Sequence, residues 1–293
     1  MTEEEINREL TDRKFYPAGQ EAALAEAHAG LTPQQQDPAY RLAFRDVDFL
    51  LREELRPVRF QLELLKPEML LDEAEIGSTL VVYGSARIPS PEAAAAGIAA
   101  ATTPAQKAVA ERLAGKARYY EEARKLGSIA STCAVVEDGK RQFVICSGGG
   151  PSIMEAANRG AHEAGAESIG LNIVLQHEQA PNDFVTPHLS FQFHYFALRK
   201  MHFLLRARAV AVFPGGFGTF DEFFELLTLI QTGKMQPIPI LLFGADYWNK
   251  VINFQAIAEE GVINPEDLTL FHMVETADEA WAKIVSFYGL ACD

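Results

Sequence analysis

Cysteine is scarce in this sequence and poorly placed for cross-linking. Cys133, Cys146 and Cys292 are odd in number, scattered and without CxxC spacing, which argues against a disulfide framework and a zinc knuckle and leaves buried or incidental thiols. Positive charge is also short: 26 Lys and Arg stand against 40 Asp and Glu, a net charge of −14. A surface of that sign disfavours charge-driven binding to nucleic acid or an anionic membrane, since both need cations that displace counterions. It still leaves room for a local basic pocket that holds one small phosphate. No apolar run approaches the length of a bilayer span, and the opening Met1-Thr2-Glu3-Glu4-Glu5 is acidic where a secretory leader is basic. A cytoplasmic protein is expected. Also missing are a Gly-Lys-Ser/Thr after any glycine turn, a full GxGxxG followed by an acidic strand end, and HExxH, so kinase, ATPase and dehydrogenase readings fall. His194 and His202 are eight apart with no third ligand at metal spacing. Neither a metal nor a cofactor is expected.

What is present is ordinary in bulk and specific in detail. Hydrophobic residues make up 48% and charged residues 23%, close to the averages for globular proteins. Residues 1 to 75 carry charge-rich patterns with apolar positions at helical spacing, as in Tyr40-Arg41-Leu42-Ala43-Phe44-Arg45-Asp46-Val47-Asp48-Phe49-Leu50-Leu51. They read as an N-terminal helical extension that packs on the main domain or on a partner subunit. From Ser78 the pattern changes to short β-branched runs closed by glycine and followed by helical segments. Strands are expected at Thr79 to Tyr83, Gln142 to Cys146, Ser168 to Val174, Ala207 to Phe213 and Ile238 to Phe243, with an edge strand near Phe271 to Val274. Between the first two, the alanine-rich Pro89 to Pro104 suggests a loop or short helix before one long helix over Ala105 to Lys125. Apolar runs alternating with helices imply an α/β fold over residues 76–293: a Rossmann-like parallel sheet flanked by helices.

Three of the strands end in glycine-rich turns. Tyr83-Gly84-Ser85-Ala86-Arg87 closes the first, Ser147-Gly148-Gly149-Gly150-Pro151 the second, and Phe213-Pro214-Gly215-Gly216-Phe217-Gly218-Thr219 the one that begins at Ala207. In a parallel sheet all three fall on the carboxyl edge, where open α/β folds bind ligands. Without Cβ, backbone N–H groups can close on an anion, and a helix N-terminus adds partial positive charge. A tight strand-to-helix junction would explain any one turn; three on one edge point to a phosphate.

Charged residues flank the third turn. Glu222 lies in the first turn of the helix after Thr219, with Asp221 and Glu225 beside it. A carboxylate is ill-placed against a phosphate and better aimed at the uncharged sugar of a nucleotide, although a favourable charge at a helix N-terminus also accounts for it. Arg199 and Lys200, on the helix before Ala207, can supply the cationic side of an anion site, Arg with bidentate geometry; a solvated basic pair is the plain alternative. His177 to Asn182 forms a polar loop after the third strand, within reach of a ligand.

Together these residues resemble the lonely-guy (LOG) family of nucleoside 5′-monophosphate phosphoribohydrolases, long labelled lysine decarboxylases. The likeness rests on Pro214 to Glu222 as PGGxGTxxE, on Arg199-Lys200, on Gly148-Gly149-Gly150 and on Gly84 to Arg87. It implies cleavage of the N-glycosidic bond of an AMP-like or cytokinin-type nucleoside monophosphate, giving free base and ribose 5-phosphate. It also implies Arg199 and Glu222 as the catalytic pair. Substrate binding would fall to Gly84, Ser85, Gly148, Gly149, Gly150, Lys200, Gly215, Gly216, Phe217, Gly218, Thr219 and Asp221, with Glu178 and Thr228 aligned more loosely. Met154-Glu155-Ala156 and the first 75 residues depart from the short plant-type members and resemble a longer bacterial subgroup. A homodimer or higher homo-oligomer is expected from the family and the extension. The rival reading is a non-catalytic nucleotide or cofactor carrier on the same fold. Lysine decarboxylation needs a pyridoxal-phosphate lysine, for which Lys200 beside Arg199 is a poor candidate.

Overall fold

The computed structural model describes residues 16–28, 30, 32–133, 135–175 and 180–291. By its contacts the chain divides between Leu62 and Glu63. The first unit is built from short helices: α1 (Ala18–Ala27), α2 (Pro33–Gln36) and α3 (Val47–Leu50). Thr32 and Gln35 cap α2 reciprocally, at 3.3 and 3.0 Å. The Arg45 guanidinium pairs with both oxygens of Glu26, at 3.0 and 2.9 Å. Tyr40 to Leu51, whose pattern suggests a continuous helix, is broken instead. Arg41 and Leu42 are extended (ψ 143° and 127°), and the Asp46 carboxylate caps the Phe49 N–H at 3.2 Å, so that a new helix starts there.

The boundary between the units falls inside α4 (Arg56–Glu73), and its residues from Glu63 onward belong to the second unit. That unit holds the sheet: β1 (Thr79–Tyr83), β4 (Val144–Ser147), β5 (Ile169–Ile173), β6 (Ser190–Phe193), β7 (Ala207–Val212), β8 (Ile240–Phe243) and β9 (His272–Val274), with β2 (Val136–Glu137) and β3 (Lys140–Arg141) forming a separate hairpin. The order is β6-β5-β4-β1-β7-β8-β9, and every pairing in it is parallel. The helices are α5 (Pro91–Ala100), α6 (Pro104–Ala114), α7 (Arg118–Thr132), α8 (Ile153–Glu163), α9 (Phe196–Leu205), α10 (Phe217–Gln231), α11 (Ala245–Val251), α12 (Phe254–Glu259) and α13 (Ala277–Tyr288). Alternate strand residues face opposite cores. Leu80, Val82, Ile145 and Ala211 pack with α7, α8 and α13, while Val81, Tyr83, Cys146, Val210 and Val212 pack with residues of α4, α9 and α10. This is the α/β, Rossmann-like sheet that the sequence pattern implies.

The chain leaves β1 toward β4, β5 and β6, then crosses back to β7 on the other side of β1. Such a reversal opens a crevice at the carboxyl edge, here between the turns after β1 and β7. Of the local expectations, the short helix in Pro89 to Pro104 is found, while the long helix after Ala105 and the strand count are corrected. Pro89 to Pro104 contains the helix α5, capped by the Ser90 hydroxyl on the Ala93 N–H at 3.2 Å. The expected long helix over Ala105 to Lys125 is two helices, α6 and α7, because the chain turns at Gly115–Ala117. β6, unforeseen, is Ser-Phe-Gln-Phe, a run without β-branched residues that takes the edge position beside β5. No described helix is long and apolar enough to cross a membrane.

Candidate active site

The three glycine turns meet. The Phe213 N–H donates to the Tyr83 carbonyl at 2.8 Å and the Ser85 N–H to the Pro214 carbonyl at 3.1 Å; the Ser85 carbonyl accepts from the Ile153 N–H at 3.4 Å. Ser85 thus joins the first turn to the other two. α10 begins at Phe217, so the N–H groups of its first turn have no intrahelical acceptor and point out of the third turn. Thr219 is buried and packs on Gly215, where a Cβ would strike its hydroxyl. The Tyr247 hydroxyl donates to the Gly215 carbonyl at 2.5 Å and fixes the turn from α11.

The second turn is held by residues that the sequence reading did not single out. Asn182 donates its side-chain amide to the Gly150 carbonyl at 3.0 Å and to Asn158 Oδ1 at 3.1 Å, and its N–H to the Gly149 carbonyl at 2.8 Å. The Ser147 hydroxyl donates to Asn158 Oδ1 at 2.7 Å and accepts from the Gly149 N–H at 3.0 Å. Ser152 sits at φ 68°, a region that side chains rarely adopt, and its buried hydroxyl donates to the Ile88 carbonyl at 2.5 Å. A polar residue in a loop after a strand was the only signal for Asn182. Ser147 and Asn158 gave none, because pairing across the sheet edge is not a local property.

Arg199 and Glu222 come together below the edge. Nη1 lies 3.7 Å from Oε1, and the two side chains are only 12% and 14% exposed. Arg199 Nε donates to the Leu171 carbonyl at 2.7 Å, its guanidinium lies 5.0 Å from the Phe203 ring centroid, and its Nη2 would lie only 2.6 Å from a Cβ on Gly148. Burial pushes the Glu222 carboxyl up to about 7, against the pull of Arg199, with Asp221 adding to the rise. Burial likewise lowers the Arg199 pKa while Glu222 opposes the shift. The buried Tyr83 is pushed up by desolvation and by Glu222. The result is a carboxyl near neutrality beside a fixed cation, a combination typical of reactive sites.

Lys200 is placed differently from Arg199. Its ammonium lies 3.1 Å from Asp221 and 3.2 Å from Glu225. Partial burial works against its charge, but these hydrogen bonds outweigh it and the pKa is raised. Lys200 and Asp221 therefore answer each other. Thr228 is exposed, and its hydroxyl donates to the Phe224 carbonyl of its own helix at 2.8 Å. Gly216 and Gly218 face open space and Phe217 is 96% exposed at the mouth of the crevice. Glu178 lies outside the described residues.

A family model described as "Possible lysine decarboxylase" matches residues 154–284, a stretch that contains Arg199 and the whole Pro214 to Glu222 segment but not the first two glycine turns. The probable cytokinin riboside 5′-monophosphate phosphoribohydrolase LOGL3 of Oryza sativa subsp. japonica is 33% identical over 30% of this chain and 43% of its own length. The cytokinin riboside 5′-monophosphate phosphoribohydrolase LOG3 of Arabidopsis thaliana is 25% identical over 49% of this chain and 67% of its own length. The chain thus spans from under half to two thirds of the length of these relatives. Among solved structures, the molybdenum cofactor carrier protein of Chlamydomonas reinhardtii is 18% identical with a TM-score of 0.42 over 73% of this chain and 99% of its own. The resemblance to the LOG family read from the residues is met by the family model and by these relatives.

Proposed function

We propose that this chain is a phosphoribohydrolase that releases the free base and ribose 5-phosphate from a nucleoside 5′-monophosphate, AMP-like or of the cytokinin riboside type. The observation that carries the reading is the Arg199–Glu222 pair, buried at 3.7 Å beneath an open glycine turn. The phosphate would sit on the first-turn N–H groups of α10, where backbone donors and the helix dipole favour an anion. The sugar then lies toward Glu222. Departure of the base with the bonding electron pair leaves positive charge on the ribose ring, as in other glycoside cleavages. A Glu222 carboxylate stabilises that charge and takes a proton from the water whose oxygen bonds to C1′. The departing nitrogen acquires a proton from solvent, so one water is consumed overall. Arg199 holds the carboxylate in place and favours its ionised form. The raised pKa of Lys200 keeps it protonated, which suits neither a Schiff base nor lysine decarboxylation.

The reading includes a cytoplasmic homo-oligomer. Exposed apolar residues on α9 and α10, Phe196, Met201, Leu205 and Phe224, fit self-association; a monomeric mass in light scattering would discard that part. The activity itself is tested by incubating the protein with a panel of nucleoside monophosphates and following free base and ribose 5-phosphate. Release from at least one is expected. Binding of the nucleotides without release of base would favour the carrier reading.

A further inference from the structure

Glu63 belongs to neither the glycine turns nor the catalytic pair, yet α9 is attached to it at two points. The N-terminus of α9 has no cap of its own, since the Tyr195 side chain makes no capping hydrogen bond there. The Glu63 carboxylate instead holds the two residues that lead into it: Oε1 accepts from the His194 N–H at 2.9 Å and Oε2 from the Tyr195 N–H at 3.2 Å. Negative charge is favoured at that end of a helix. The second attachment arises from Pro67, which lies inside α4. Proline has no N–H, so the Glu63 carbonyl, four residues earlier, loses its helical donor. His202 Nε2 fills the gap at 3.0 Å. Because a carbonyl only accepts, Nε2 carries the proton, and Nδ1 is left 3.6 Å from Glu68 Oε1. Arg199, which shares α9 with His202, lies between the two attachments.

We infer that Glu63 is a positioning residue for the catalytic pair: through its carboxylate and its carbonyl it fixes α9, and so the Arg199 guanidinium against Glu222. The inference rests on the phosphoribohydrolase reading for its effect on turnover, but not for its effect on the pair. Two charges in a region of low dielectric interact steeply with distance, so a small shift of α9 changes the ionisation of Glu222 as well as its alignment.

The decisive variant is Glu63→Gln in the full chain, which keeps the carbonyl contact and replaces one of the two accepting oxygens by a donor. The control is Glu68→Gln, which weakens contacts of α4 with His202 and Arg206. The Glu222 carboxyl is titrated by isotope-edited infrared difference spectroscopy against Glu222→Gln, and kcat and KM are measured on any nucleotide that the unaltered protein hydrolyses. Glu63→Gln should raise the Glu222 midpoint by roughly half a unit or more and lower kcat about tenfold, with KM within about twofold. Glu68→Gln should lower Tm and leave the titration in place. Were Glu63→Gln not to fold, Glu63→Asp, which keeps the charge but withdraws it by one methylene, is read in the same way. An unchanged Glu222 midpoint in a folded Glu63 variant, or the same shift in Glu68→Gln, overturns the inference. If the unaltered protein hydrolyses no nucleotide, the function fails and the titration alone decides on Glu63.

Discussion

At the end of β4 the glycines are crowded. A Cβ on Gly148 would lie 2.6 Å from Arg199 Nη2 and 2.8 Å from Met154 Sδ, one on Gly149 would lie 2.6 Å from the Asn172 amide, and Asn182 ties down the turn's carbonyls. At the end of β7, Gly216 and Gly218 have no atom within 4 Å of an added Cβ, and Phe217 stands 96% exposed between them. Both turns look alike as sequence, a strand closed by glycines and opening a helix. In the first, glycine makes room for side chains that arrive from elsewhere in the fold. In the second, Gly215 makes room for Thr219, while Gly216 and Gly218 leave the backbone accessible from outside. The turn after β4 therefore makes room for Arg199, and the turn after β7 has the more open backbone.

Substitutions can break this contrast or sharpen it. The largest effect is expected from Glu222→Gln, beside the open turn: kcat for base release should fall by about 10²–10⁴-fold with KM altered only a few-fold. Undiminished turnover of the variant in a ribose 5-phosphate assay would remove Glu222 from the chemistry.

Next comes pH. The Glu222 pKa is raised from 4.5 to about 7 on folding, so the folded state holds the proton more tightly. The stability tied to the protonated form is complete below pH 4.5 and is lost as pH rises toward 7. Glu222→Gln escapes that loss, and its stability relative to the unaltered protein should improve by up to about 3 kcal/mol between pH 4.5 and pH 8. Urea unfolding at the two pH values measures it; parallel pH dependences would show that burial does not disfavour the Glu222 charge.

The two turns are compared directly by Gly148→Ala and Gly216→Ala. The first should cost roughly 1–3 kcal/mol of stability and lower kcat, because the methyl displaces Arg199. The second should change stability by less than about 0.5 kcal/mol and act on KM alone. Equal losses of stability in denaturant titrations would end the distinction. Asn182→Ala should cost about 1 kcal/mol in the same titration, between those two, since the Gly150 carbonyl lies near enough to solvent to recover a partner. A variant as stable as the unaltered protein would show that Asn182 does not hold the turn.

Much of this was legible in one dimension. The strand Thr79 to Tyr83 and the start of β7 at Ala207 lie where the β-branched runs put them, because strands buried on both faces must be apolar throughout. β6 escaped notice because pairing with β5, and not its own composition, makes Ser190–Phe193 a strand. The long helix expected after Ala105 broke at Gly115–Ala117 because helical spacing continues across a turn that only packing reveals. For the site, the glycine turns and the charged residues near them could be found by eye, whereas Asn158 and Glu63 are polar residues with no local mark, and Asn182 had only its place in a polar loop.

The neighbours Arg199 and Lys200 show most plainly what the sequence determined and what it left to the fold. The residues themselves dictate a parallel sheet with three glycine turns on one edge and two cations close by, because periodicity and glycine act over a few residues. Successive helical residues point about 100° apart, so only one of the two cations can face the edge. Packing of α9 against α4 and β5 chose Arg199 for Glu222 and left Lys200 to Asp221 and Glu225. The same packing removed water from Glu222 and raised its pKa. Solvent exclusion is a property of the assembled tertiary structure, and no spacing along the chain encodes it.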